Sequence, residues 1–143
     1  MVGENKLNQN DRMILLRLAR ETIELTAAHK RLPDLNPQVY SEDLQADGAS
    51  FVTLTIDGQL RGCIGALEAY QPLVLDVQEH AAAAASEDYR FPRVKPEEVP
   101  YLQIEISRLT PTLPLDYVDS NDLISKLRPG IDGVLIRDGA RRA

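Results

Sequence analysis

The stretch FVTLTI (51–56), DG (57–58), QLRGCIG (59–65) decides the fold. Two alternating, β-branched or apolar segments flank an Asp-Gly pair, the signature of a strand, a type I′ turn and a second strand. A two-residue turn at Asp57-Gly58 sets a register in which Ile56 faces Gln59, Leu54 faces Arg61 and Val52 faces Cys63. Arg61 and Cys63 then leave the same sheet face, about 7 Å apart between Cα atoms. Gly62 and Gly65 surround the thiol with bare backbone, where a ligand or another chain can approach or the strand can bulge.

Upstream, Ile14, Leu15, Leu18, Ala19 and Leu25 share one arc of a helix that Asn8 or Asn10 can cap and that Pro33 ends. Prolines at 33 and 37 mark a long connection, with one short helix expected near residues 41–46. Downstream, Leu73, Val74, Val77, Ala81, Ala84 and Ala85 form the apolar arc of an alanine-rich helix opened by Pro72. YRFPRVKPEEVP (89–100) holds three prolines and reads as a loop over that helix end. In YLQIEISRLT (101–110), Leu102, Ile104 and Ile106 alternate with Gln103, Glu105 and Ser107, as in a half-buried strand. Ser120 can cap a short helix, and GVLIR (133–137), Asp138-Gly139 and ARRA (140–143) read as a second strand, turn and strand. The last strand is so short that a domain continuing past Ala143, or an exposed sheet edge, is expected.

The chain has 143 residues, 43% hydrophobic and 27% charged, which suits one domain. Sixteen Lys and Arg against 22 Asp and Glu give a net charge of −6, which disfavours nucleic-acid coating. No run is apolar enough for a membrane span, and the single Cys63 fits a reducing, cytoplasmic setting. One cysteine and two histidines lack zinc-ligand spacing, and neither the dinucleotide nor the P-loop glycine pattern occurs, so no metal or cofactor is expected.

The candidate chemistry centres on Cys63. Arg61 can stabilise its thiolate or orient a small anionic ligand, and Gly62 and Gly65 let that ligand approach. His80, at the edge of the alanine-rich helix arc, is the candidate proton acceptor for Cys63, and Glu105 is both the first candidate partner of Arg61 and the alternative to His80 for handling protons. The competing reading is a packed thiol, since Val52, Leu54 and Ile56 share the expected face and free cysteine is commonly buried. For His80 the competing reading is a boundary histidine, and for Glu105 a solvated carboxylate. His29, near a helix end, complements the dipole and is assigned no chemistry.

LRGCIG (60–65), with RFP (90–92), PEEVP (96–100), IEIS (104–107) and RPGIDGVLI (128–136), resembles the AmmeMemoRadiSam system protein A family, also described as the AMME-syndrome chromosomal region protein family. The resemblance implies an α+β fold, a mostly antiparallel sheet with packed helices in larger and smaller subdomains. It also implies a C-terminal segment that this sequence lacks, and functional links to Memo-like and radical S-adenosylmethionine proteins. Any iron–sulfur cluster would belong to the latter partner, because this chain lacks three cysteines. Three functions follow as expectations: a binding component with its cleft beside the LRGCIG strand, an enzyme with Cys63 as nucleophile, or an assembly protein recognised through the edge at residues 140–143.

Overall fold

The structure is a computed structural model and describes residues 6–143. It divides at Thr110/Pro111 into two compact units. The first carries helix α1 (Gln9–Ala27), the single-turn α2 (Glu42–Gln45), strands β1 (Ala49–Ile56) and β2 (Gln59–Gly65), helix α3 (Leu73–Ser86) and strand β3 (Gln103–Leu109). The second carries α4 (Ser120–Lys126) and the two-residue strands β4 (Arg137–Asp138) and β5 (Arg141–Arg142).

In the first unit the strands form an antiparallel sheet in the order β2-β1-β3. Asp57 and Gly58 have φ of 50° and 75°, the two positive values a type I′ turn requires. Helix α3 packs on one sheet face and α1 packs against α3. The core between them is built from Leu15, Ile23, Val52, Leu54, Val77 and Ala81, each at most 2% exposed. The alanines of α3 let its backbone come close to the sheet, and Gly62 completes that approach: a Cβ there would collide with the Ala84 carbonyl oxygen.

Helix α1 starts at Asn8, whose side chain accepts from the Asp11 amide at 2.8 Å. It stops at Ala27, before Pro33. His29 turns the chain out with φ 56°, and the Lys30 amide donates to the Leu25 carbonyl at 2.9 Å. The termination expected of Pro33 is therefore made by a left-handed residue four positions earlier.

In the second unit, Asp119 caps α4 by accepting from the Asp122 amide, so Ser120 is the first helical residue and not the cap. Residues 133–135 do not join a strand, and the pairing reaches back to Ile136, which exchanges both backbone hydrogen bonds with Ala143 at 2.8 and 3.0 Å. The ribbon turns at Gly139 and Ala140, one position later than the expected Asp138-Gly139 turn. No residue from 111 to 143 is buried.

Candidate functional site

The register of the hairpin differs from the one a plain two-residue turn predicts. Ile56 does face Gln59, but a bulge between Leu54 and Thr55 shifts the rest, giving Leu54 opposite Gly62, Thr53 opposite Cys63 and Val52 opposite Ile64. Thr55 pairs with Leu60, so Arg61 is the extra residue. Because side chains alternate along a strand, this one-residue shift moves Cys63 off the face of Val52 and Leu54. Gly62 takes the inner face, against α3, and Cys63 takes the outer face with Thr53 and Glu105, which is the β3 partner of Thr53. One row, Cys63, Thr53 and Glu105, crosses all three strands of this sheet. The Cys63 thiol lies 3.1 Å from the Thr53 hydroxyl and is half-buried, Glu105 is exposed, and Ser107 donates to Glu105 over 3.4 Å.

Arg61 does not meet Glu105. Its Nε and Nη2 donate to the two carboxylate oxygens of Glu98 at 2.9 and 3.0 Å, and Nη1 donates to the Pro92 carbonyl at 2.8 Å. The side chain is 13% exposed, so the bidentate partner answers the requirement that a buried guanidinium be matched. That guanidinium, with Arg61 donating, holds the Glu98 carboxyl below its ordinary range.

His80 is not brought to Cys63 either. It is 5% exposed, on the inner side of the sheet, with Nδ1 3.1 Å from Asp76 Oδ2. Asp76 is fully buried and also accepts from Ser50 Oγ at 2.6 Å, which ties α3 to β1. The boundary histidine expected from the sequence is thus a buried one satisfied by a carboxylate. The Ser50 hydroxyl donates to Asp76 and is itself fully buried, so this trio braces the fold.

Two residues to which the sequence reading gave no site role occupy the outer edge of β2. Asp88, just past α3, is 5% exposed and accepts from the Cys63 amide at 2.9 Å. Arg90 donates through Nε and Nη2 to Asp88 at 2.9 and 2.8 Å and reaches the Cys63 carbonyl at 3.4 Å. The side-chain bond from Arg90, helped by the Cys63 and Arg90 amides, outweighs burial and holds the Asp88 carboxyl far below its ordinary range. Together these side chains satisfy both backbone groups of Cys63 on a strand edge that would otherwise be bare. The signals in the sequence were the RFP segment, which carries Arg90, and an Asp two residues before that Arg at a helix exit, which by itself is common.

Gly65 is closed in by β1, since a Cβ would run into the Ser50 carbonyl and the Phe51 ring. Both glycines therefore serve close packing inside this unit. An open hollow of about 240 Å³ lies at the hairpin end, lined by Ile56, Asp57, Gln59, Leu60 and Arg61, and does not include Cys63. No cluster of three potential metal ligands and no helix long and apolar enough to cross a membrane occurs among the described residues.

The segments LRGCIG, RFP and PEEVP, far apart in sequence, thus meet in one clasp on β2 of an α+β protein. The sequence matches the AMMECR1 family over residues 16–143, and the chain belongs to that family. It is 40% identical over 139 residues to a protein of Methanothermobacter thermautotrophicus, covering 95% of this chain and 70% of that one. It is 36% identical over 144 residues to Protein MK0488 of Methanopyrus kandleri, covering 98% and 68%. The crystal structure of uncharacterized protein PH0010 from Pyrococcus horikoshii superposes with a TM-score of 0.61 at 38% identity, over 68% of this chain and 50% of that one. The match therefore spans about half the length of that solved relative.

Proposed function

We propose that this protein is a cytoplasmic binding component of a modification system, recognising a ligand or partner on the outer sheet face beside the LRGCIG strand. The observation that carries this reading is the split within the motif. Arg61, Gly62 and Gly65 are engaged in building the unit, whereas Cys63 lies in a row with Thr53 and Glu105 on the face away from α3. A thiol there lines a surface. Of the groups that would make it a nucleophile in the enzyme reading, Arg61 and His80 are held by Glu98 and Asp76, and Glu105 stands in the row with Cys63 but is exposed to solvent. The resemblance to AmmeMemoRadiSam proteins supplies the partners to try, a Memo-like protein and a radical S-adenosylmethionine protein.

Calorimetric titration of the protein with each partner tests the reading. Complex formation is expected, to be lost on Glu105→Lys, which reverses a charge on the outer row without touching the core. Binding unchanged by Glu105→Lys and by Thr53→Arg would overturn it. Loss only when residues 140–143 are altered would favour the assembly reading instead.

A further inference from the structure

We propose that Arg90, and not Arg61, takes the anionic group of a ligand, at an oxyanion subsite on the outer edge of β2 beside Cys63. The inference rests on the reading of the LRGCIG face as a binding surface and adds the chemical class of what binds there.

Arg61 is the poorer candidate, because each of its three nitrogens already donates to Glu98 or Pro92 and its side chain is only 13% exposed. Arg90 is held differently. Its Nε and Nη2 are fixed by Asp88, whose side chain is only 3% exposed, while 46% of the Arg90 side chain faces solvent. No described residue accepts from its Nη1. The result is a guanidinium locked on one side and open on the other, with the rotamer entropy of a free arginine already lost before a ligand arrives. The Phe91 ring lies 5.5 Å from its central carbon and supports the same orientation. Tyr89, beside it in sequence, is 96% exposed. Two N–H donors on one nitrogen suit an oxygen of a phosphate or a carboxylate. Asp88 does not close the site, since its oxygens face the strand and the bound edge of the guanidinium.

The test is a titration of the full chain with inorganic phosphate, and separately with acetate, followed by backbone amide shifts at constant ionic strength. Saturable shifts at Cys63, Tyr89 and Arg90 are expected with at least one of the two, and which one saturates names the ligand's anionic group. Arg90→Gln should weaken that binding about tenfold or more. Because Arg90→Gln also cuts the clasp, Asp88→Asn serves as the second variant. It loosens the clasp but keeps the positive charge, so binding should survive it. Absence of saturable shifts, equal shifts with chloride, or affinity unchanged by Arg90→Gln would each overturn the proposal. Failure of the Glu105→Lys experiment would overturn the outer-face reading itself and is read from partner binding, independently of these shifts.

Discussion

The two faces of the sheet in the first unit are made from the same strands and behave as different materials. The inner face carries Ser50, Val52, Leu54 and Gly62 against α3, where the one charged group, Asp76, is fully buried and bonded to Ser50 and His80. The outer face carries Thr53, Cys63 and Glu105, with hydroxyl, thiol and carboxylate all short of burial. Within LRGCIG the boundary between them runs between adjacent residues. A motif that reads as one site is a structural half and a presenting half interleaved, and each half answers to its own physics.

The sharpest way to break this contrast is Gly62→Ala. One methyl group has to displace the Ala84 carbonyl of a packed helix, and a loss of about 3 kcal/mol is expected in denaturant unfolding. Stability within 1 kcal/mol of the starting protein, on the order of one core methylene, would show that α3 does not press on the strand there. Asp76→Ala comes next, at about 2–3 kcal/mol, because it strands the Ser50 hydroxyl and the His80 ring in the interior. The double variant with Ser50→Ala should recover part of that loss.

Acid sharpens the comparison at the clasp. Asp88 and Glu98 both have carboxyls held below their ordinary range in the folded state, by Arg90 and by Arg61 respectively. A depressed folded value means the native state binds fewer protons than the unfolded one. The stabilisation is therefore complete above the ordinary carboxylate range, about pH 4, and is lost as pH falls through the folded values. Asp88→Asn should flatten that acid limb and make the Cys63 amide exchange faster at neutral pH, with little change in the exchange of Val52 or Leu54. The smallest effect belongs to the outer row: Glu105→Gln should shift stability by less than about 0.5 kcal/mol.

Much of the fold is readable from residue order. The Asp-Gly hairpin, the alanine-rich helix and the alternation of Ile104 and Ile106 are local signals, and the structure carries all three. The site was less readable, for a specific reason. Gly62 and Gly65 pointed to a possible bulge, yet a bulge changes which face every later residue takes, and nothing in the sequence says on which side of the turn it falls. Placing it between Leu54 and Thr55 exchanges the surroundings of Cys63 for those of Gly62. The Arg61–Glu98 pair joins residues 37 positions apart, so no spacing rule connects them. A separation of 25 positions likewise hid Asp88 from Cys63, because a buried carboxylate that serves a strand edge looks in sequence like any loop aspartate.

Alkylation of Cys63 by iodoacetamide across a range of denaturant too low to unfold the protein tests most directly whether the thiol belongs to the presenting half. Direct attack on the native state is predicted, with a rate that stays nearly flat as denaturant rises. A rate that climbs in proportion to the globally unfolded population would place the sulfur inside the packed half and contradict the account.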